Sequence, residues 1–180
     1  MSLHIDVRAN RRQRNWSQQT QAARVLWAMC VPLFRFSPRP FWAWRVWLLR
    51  CFGAQIGENV HIYPTVRITM PWQLRVDNFA AIGDQAILYA LGPIHIGART
   101  TVSQYAHLCA GTHDWRDPAR PLMRPAIHVG ADAWICADAF VGPGVVIGHG
   151  AILGARAVAR KSLPSGHIGI GNPMQIKRAQ

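Results

Sequence analysis

Residues 129–159 read VGADAWICADAFVGPGVVIGHGAILGARAVA. Every sixth residue of this stretch is aliphatic, from Val129 to Leu153, and glycine directly follows four of these five residues. Alanine or valine stands four positions after each of them. A period of six matches neither the 3.6-residue period of an α-helix nor the two-residue alternation of a strand. It predicts a short strand followed by a corner, with three such units in each coil of a solenoid.

The repeat also predicts the core. The residues expected to point inward are Val129, Ile135, Val141, Ile147 and Leu153. The small residue four positions later is expected to fill a tight corner, and glycine to allow an unusual corner backbone. A looser form of the spacing runs through Ile56, Ile62, Ile68, Leu74, Ile82, Leu88, Ile96, Val102 and Leu108, with two-residue slips after Leu74 and Leu88. Residues 56–164 therefore predict an all-β fold, a parallel β-helix of about six coils.

One stretch breaks the period. Residues 114–126, DWRDPARPLMRPA, contain three prolines and three arginines. We expect a loop that projects from the coil, and a long loop on a rigid scaffold is a frequent place for function. The β-helix with this loop is assigned to residues 53–165, and a basic C-terminal tail to residues 166–180.

The N-terminal segment, residues 1–52, differs in composition from the rest. It holds nine arginines against one acidic residue, a net charge of +8, and five of the eight tryptophans, but no glycine. This composition favours helices. One is predicted over residues 18–30 with Ser17 as its N-cap, and another over residues 41–52 with Gly53 beyond its C-terminus. Three prolines are expected to break the chain between them: Pro32, Pro38 and Pro40.

Two interpretations of the N-terminal segment stay open. Its tryptophans pack against the β-helix, or its tryptophans and arginines lie at the headgroup level of a membrane. Its apolar runs are short of the ~20 residues needed to cross a bilayer. The first 24 residues carry five arginines and no apolar run, so no signal peptide is predicted. We expect a cytoplasmic protein, with peripheral contact at the inner face of the membrane as the open alternative.

The chain resembles a known family. Three features resemble the hexapeptide-repeat acyltransferases of the left-handed parallel β-helix class: the hexapeptide run, the segment GTHDW at residues 111–115 and the segment GNPMQIKR at residues 171–178. Two further segments are similar to the colanic acid biosynthesis acetyltransferases: RVWLLRCFGAQIGENV (residues 45–60) and PWQLRVDNFAAIGDQAILYALGPIHIG (residues 71–97). The resemblance implies a left-handed coil and a homotrimer with active sites between subunits. It also implies O-acetylation of a saccharide in exopolysaccharide biosynthesis, with acetyl-CoA as co-substrate and no bound cofactor.

The same resemblance implies a catalytic base. A sugar hydroxyl is a poor nucleophile until a base takes its proton, and histidine titrates near neutral pH. His113 stands just before the projecting loop and matches the catalytic histidine of the sugar O-acetyltransferases, with Asp114 to orient its ring or hold the loop. The alternatives are that His113 is a solvated loop histidine, or that Cys109 is a nucleophile.

Substrate-binding residues are assigned by the same match. Trp134 and Ala137 would line the pantetheine channel of CoA, and Ala155 would contact it through its backbone. Basic residues suit the CoA phosphates, and the candidates are Arg160, Lys161 and Arg178; the alternative is a solvated basic end. On the acceptor side, Asp84 and Tyr89 are expected one coil before His113 and on the same side.

Two other functions are alternatives for this sequence. A zinc hydratase on the same scaffold would show two histidines with four residues between them, whereas five residues separate His107 and His113; no metal site is therefore predicted. A nucleic-acid-binding protein would suit the total charge of +12, but residues 53–180 carry a net charge of only +4, so no nucleic-acid partner is expected. The remaining repeat histidines are expected on the surface: His95, His107, His128 and His149.

Overall fold

The computed structural model describes residues 5–178, so the first four residues of the predicted N-terminal segment and the last two of the predicted tail lie outside the described part. Three parallel sheets form the faces of a triangular coil, which confirms the predicted fold class. The strands are very short, most of them two or three residues long. Each ends at a corner where the chain turns onto the next face.

The strands are distributed over the three faces in a regular order. Face 1 consists of β1 (Gln55–Ile56), β4 (Leu74–Val76), β7 (Ile94–Ile96), β12 (Ile127–Val129) and β15 (Val146–Ile147). Face 2 consists of β2 (His61–Ile62), β5 (Ala81–Ile82), β8 (Thr101–Val102), β13 (Trp134–Ile135), β16 (Ile152–Leu153) and β18 (His167–Ile170), with the antiparallel strand β19 (Gln175–Arg178) at its edge. Face 3 consists of β3 (Arg67–Ile68), β6 (Ile87–Tyr89), β9 (His107–Cys109), β14 (Phe140–Val141) and β17 (Val158–Ala159). These faces make five complete coils, and β18 begins a sixth.

Inward side chains form the core as predicted. The five aliphatic residues from Val129 to Leu153 are at most 1% exposed. The same holds for the looser part of the repeat, at Ile82, Leu88, Ile96, Val102 and Leu108. One detail of the predicted six-residue spacing was wrong, namely the position of the first two-residue slip. Ile56 lies beside Val76 rather than Leu74 in the next coil, because the two extra residues fall before Val76, in a corner that contains the 3₁₀ helix Pro71–Gln73. Leu74 is buried as well, at the start of the same strand.

The prediction that the repeat glycines supply the corner backbone was wrong. Positive φ occurs two positions after the glycine, or after Cys136 in its place, at Asp132 (57°), Asp138 (57°), Arg156 (58°), Gly144 (76°) and Gly150 (62°). The glycines are needed instead because successive coils approach closely. A Cβ on Gly130 would lie 2.6 Å from the backbone nitrogen of His149, and one on Gly97 would lie 2.5 Å from that of Ala131.

Helices precede the coil. They are α1 (Val7–Arg12), α2 (Gln18–Arg35) and α3 (Trp42–Cys51). Ser17 caps α2 by accepting a hydrogen bond from the Thr20 backbone N–H, and Gly53 follows α3 with φ 82°, both as predicted. Pro32 does not break the chain, since it lies within α2, and α1 was not foreseen. The α3 helix packs on β1 and β2 and covers the first coil.

A buried cation joins the helices to the coil. Arg45 of α3 is fully buried, and its guanidinium donates to the carbonyl oxygens of Ile62, Pro38 and Arg39 at 2.6–2.9 Å and to the hydroxyl of Ser37. Burial lowers the pKa of Arg45. Because these oxygens satisfy the guanidinium donors, Arg45 fixes the turn between α2 and α3 against face 2.

We expect Gly130→Ala to lower the free energy of unfolding by roughly 1–3 kcal/mol, the usual cost of overpacking. The added methyl group would force β12 away from the coil that contains His149. Urea denaturation followed by circular dichroism measures this change. Cys136→Ala is the matched control, because Cys136 occupies the equivalent repeat position and already carries a Cβ. Equal stabilities for the two variants would contradict the close-approach argument.

Candidate active site

The interruption of the repeat is a short hairpin rather than an irregular loop. It leaves the coil after Cys109 and returns at Ile127, and its strands are β10 (Thr112–His113) and β11 (Leu122–Met123). His113 pairs with Leu122 in this antiparallel ladder. We call residues 110–126 the projecting hairpin. It emerges at the corner between faces 3 and 1, here called corner 3–1.

The ring of His113 is held by a backbone oxygen. Its Nδ1 lies 2.7 Å from the carbonyl oxygen of Arg120 in the returning half of the hairpin. A carbonyl can only accept, so Nδ1 carries the proton and Nε2 carries the lone pair. The side chain is exposed on the single chain. This arrangement presents Nε2 as a base to a molecule that binds outside the hairpin.

Of the two roles expected for Asp114, its contacts fit the second, holding the loop, rather than orienting the ring. Its carboxylate accepts from the backbone N–H of Arg116 at 3.0 Å, and its own N–H donates to the Pro121 carbonyl. These bonds fix the turn of the hairpin. The Arg120 carbonyl, rather than the Asp114 carboxylate, is therefore the group that orients His113.

Two of the residues assigned to CoA line up at a different corner. Ala137 and Ala155 follow β13 and β16, which are neighbours on face 2, and the Arg156 N–H donates to the Ala137 carbonyl at 3.0 Å. They therefore stack in successive coils at the corner between faces 2 and 3, here called corner 2–3. Their small side chains leave room along this corner. Trp134 lies half-exposed on adjoining face 2 and donates from its indole nitrogen to the Ser103 hydroxyl at 2.9 Å.

The three basic candidates are exposed and divided between two places. Arg160 and Lys161 follow β17 and lie at corner 3–1, two coils beyond the coil from which the projecting hairpin leaves. Arg178 ends β19 at the edge of face 2, where it pairs with His167. The predicted tail is thus an ordered continuation of face 2 over residues 167–178.

The acceptor candidates do not share a side, which corrects that expectation. Tyr89 ends β6 and lies beside Cys109 near corner 3–1, on the His113 side. Asp84 lies at corner 2–3, in line with Ala137, because β5, β8 and β13 are neighbours on face 2. Its carboxylate accepts from the Thr65 hydroxyl and pairs with Arg39, each at 2.9 Å. A groove of about 520 Å³ opens beside it.

The outer side of face 3, between these two corners, is largely apolar beyond its first strand, where Arg67 is exposed. The later strands carry Ile87, Tyr89, His107, Cys109, Phe140 and Val158. His107 was expected on the surface, but it is half-buried, with Phe140 and Tyr89 packed edge-on against it. Its Nε2 is buried without a hydrogen-bond partner, and burial lowers the pKa of the ring.

The other repeat histidines differ among themselves. His128 and His149 are exposed as expected, whereas His95 is half-buried and its Nε2 lies 2.8 Å from the carboxylate of Asp77. Within residues 5–178, the single chain gathers no group of three histidine, cysteine or acidic side chains that could hold a metal ion. None of the described helices is long and apolar enough to cross a bilayer.

Sequence reasoning missed one set of contacts altogether. The N-terminal residues 5–16, which we call the N-terminal arm, fold back across the projecting hairpin and hydrogen-bond the backbone carbonyls of residues 118–120. Arg124 stacks on Trp16 of the arm at 4.2 Å and donates to the Asn15 carbonyl at 2.9 Å. No spacing in the sequence indicated contacts between residues more than a hundred positions apart.

Solved structures with the same fold include acetyltransferases. A maltose O-acetyltransferase from Clostridium difficile 630 matches with a TM-score of 0.83 at 18% identity, over 90% of this chain and 88% of that chain. A hexapeptide-repeat-containing acetyltransferase from Vibrio cholerae O1 biovar eltor, complexed with acetyl-CoA, matches with a TM-score of 0.82 at 21% identity, over 91% and 90% of the two chains. These likenesses show that the coil is a left-handed parallel β-helix.

Sequence comparison gives the family. No family model matches the chain. A curated relative is 43% identical over 155 residues, which span 86% of this chain and 85% of the relative. The chain therefore belongs to the hexapeptide-repeat acetyltransferases and is an enzyme. That relative, from Escherichia coli (strain K12), bears the name "Putative colanic acid biosynthesis acetyltransferase WcaF".

Proposed function

We propose that the enzyme transfers an acetyl group from acetyl-CoA to a saccharide hydroxyl during the biosynthesis of an exopolysaccharide, with His113 as the general base. The name of the E. coli relative and the acetyl-CoA complex of the V. cholerae protein support the reaction class and the donor. The observation that carries the proposal is the contact between His113 Nδ1 and the Arg120 carbonyl, because it leaves Nε2 free to accept a proton.

The reaction is a direct transfer with both substrates bound. The saccharide hydroxyl attacks the thioester carbonyl carbon while His113 Nε2 takes the hydroxyl proton. A new C–O bond forms, and a backbone N–H steadies the negative charge on the tetrahedral oxygen. The C–S bond then breaks, and the imidazolium returns the proton to the CoA sulfur. The products are the acetyl ester and free CoA.

The site is divided between two subunits. His113 and Tyr89 lie at corner 3–1, whereas Asp84, Ala137 and Ala155 lie at corner 2–3. The full width of face 3 separates these corners within one chain. A second chain that places its corner 2–3 against the first chain's corner 3–1 completes the site. This division supports catalysis between neighbouring subunits.

The apolar outer side of face 3 supports a homotrimer. A face that points toward a threefold axis has one neighbour at each of its two edges, so each corner 3–1 meets the corner 2–3 of the next chain. Tyr89, Cys109 and Phe140 lie on this face, and so does the unpartnered Nε2 of His107. Contact with the neighbouring chains would remove these apolar groups from water.

Acetyl-CoA fits along the boundary between the subunits. The small side chains of Ala137 and Ala155 leave a path for the pantetheine arm beside Trp134. Arg160 and Lys161 lie about 10 Å further along the coil axis than the base of the projecting hairpin, since neighbouring strands are ~4.8 Å apart. With Arg178 at the end of face 2, they are suited to bind the CoA phosphates.

His113→Ala is expected to lower turnover by about 10²–10⁴-fold, the usual loss when a general base is removed, while acetyl-CoA still binds. Release of CoA thiol with a panel of sugars and lipid-linked oligosaccharides measures turnover, and calorimetry measures donor binding. Cys109→Ser is the matched control on the strand before the hairpin and should remain active. Near-normal turnover of His113→Ala, or an acetylated enzyme trapped without acceptor, would contradict this mechanism.

The helices carry a surface suited to a membrane, and we place the enzyme in the cytoplasm at the inner face of the membrane. Four large apolar residues of α2 lie within an arc of about 100° at 100° per residue, the C-cap Phe36 follows them, and all five are exposed: Val25, Leu26, Met29, Leu33 and Phe36. We call them the apolar stripe. The opposite side of α2 packs on the coil through Trp27 and Phe34, so the stripe faces away from the β-helix.

Aromatic and cationic groups border the apolar stripe. Trp44 and Trp47 of α3 stack on each other at 5.1 Å and are partly exposed, and a groove of about 470 Å³ lies between Leu33, Phe36 and Trp44. Arg35 is exposed close by in sequence, whereas Arg39 is paired with Asp84. An anionic bilayer supplies both the acyl chains for the stripe and a phosphate for Arg35. This placement suits a lipid-linked acceptor.

The double variant Met29→Glu/Leu33→Glu should lose most of its binding to vesicles that contain anionic lipid, because it introduces negative charge into the apolar stripe. Co-sedimentation at low salt measures this loss, and binding of the intact enzyme should weaken as salt rises. Val146→Glu is the control, an exposed aliphatic residue on face 1. Unchanged vesicle binding would contradict the proposal. Loss of the oligomer in the double variant would assign the stripe to a neighbouring subunit instead.

A further inference from the structure

The N-terminal arm contacts three consecutive carbonyls of the projecting hairpin. The Asp6 N–H donates to the Pro118 carbonyl at 2.9 Å. The Asn10 side-chain amide donates to Ala119 at 2.8 Å and to Arg120 at 3.3 Å. The Gln13 amide donates to Ala119 at 3.1 Å. The arm therefore supplies hydrogen-bond donors to a hairpin tip that is otherwise mostly exposed.

One of these carbonyls also holds the imidazole. The Arg120 oxygen has two lone pairs; one accepts from Asn10 Nδ2 and the other from His113 Nδ1. The two N–H groups of the Asn10 amide donate to the carbonyl oxygens of Ala119 and Arg120. This single side chain therefore fixes the direction of both carbonyls. The hydrogen bonds therefore run from α1 through one backbone oxygen to the ring of His113.

The backbone at Arg120 needs such support. Its φ is 46°, in the left-handed region that a residue with a Cβ rarely adopts. The hairpin strands β10 and β11 are two residues each and lie outside the core. Within the hairpin the Arg120 N–H donates to the Asp117 carbonyl at 2.9 Å, and the Asn10 amide of the arm holds the carbonyl side of the same residue.

We propose that Asn10 is a positioning residue for His113, which fixes the Arg120 carbonyl and through it the orientation and tautomer of the imidazole. The proposal rests on the role of His113 given under the proposed function. It makes the N-terminal arm part of the catalytic machinery, although the arm contains no group that touches the reacting atoms. A misplaced base slows the chemical step without weakening donor binding, since the Asn10 side chain contacts the Ala119 and Arg120 carbonyls and none of the residues assigned to CoA.

The test compares two amide side chains of the arm. Asn10→Leu removes the donors at similar side-chain volume, and Asn10→Ala is a second variant with the same loss. Asn10→Gln keeps the amide. Gln13→Leu is the matched control, because Gln13 contacts the Ala119 carbonyl but not that of Arg120. The readouts are kcat, KM for acetyl-CoA, the melting temperature, and the ¹⁵N spectrum of the histidine rings, with the His113 signals assigned from His113→Ala.

We expect Asn10→Leu and Asn10→Ala to lower kcat by roughly three- to tenfold, the effect of one net hydrogen bond, with KM for acetyl-CoA unchanged. The His113 ring should change from the single Nδ1–H tautomer to a mixture, and Asn10→Gln should restore most of the loss. Gln13→Leu should lower the melting temperature by a similar amount but leave the tautomer intact.

Two outcomes would overturn the proposal: equal effects of Asn10→Leu and Gln13→Leu on kcat, or an unchanged His113 tautomer in Asn10→Leu. Failure of the proposed function is distinguishable from both. In that case His113→Ala itself would retain turnover, whatever the Asn10 variants do.

Discussion

Successive coils approach so closely where face 1 turns onto face 2 that residues such as Gly97 and Gly130 have no room for a Cβ. This contact fixes the register of each coil on the next, so equivalent residues form columns along the axis. Ala137 and Ala155 align for that reason, and so does Asp84 below them. The same register brings the projecting hairpin out at corner 3–1. The separation of His113 at corner 3–1 from Ala137 and Ala155 at corner 2–3 therefore follows from the stacking of the coils.

The hairpin itself is held in another way. It leaves the aliphatic core, so hydrogen bonds rather than buried surface determine its shape. The Arg120 carbonyl holds His113, the Asp114 carboxylate fixes the turn, and the arm contacts the carbonyls from the other side. In the proposed function, the coil would align the donor and the hairpin, held by backbone carbonyls, would position the base.

The sequence predicted the core well because a six-residue period requires a stacked coil, and all five inward residues from Val129 to Leu153 are buried. It misassigned the glycines, because close approach and positive φ both favour glycine and only the backbone separates them. It missed the arm and the burial of Arg45, since contacts such as Asn10 with Arg120 leave no periodic pattern. The roles assigned to His113 and the CoA residues came from the family resemblance and remain predictions.

The central claim is that each site combines corner 3–1 of one chain with corner 2–3 of the next. Two inactive variants, His113→Ala and Ala155→Trp, test it when they are co-expressed in equal amounts and purified together. Random assembly makes three quarters of the trimers mixed, and each mixed trimer holds one intact site out of three, so the whole preparation should return about one quarter of the wild-type turnover. Mixing the separately assembled variants without subunit exchange is the control and should give none. A co-expressed preparation as inactive as its parents would contradict the account.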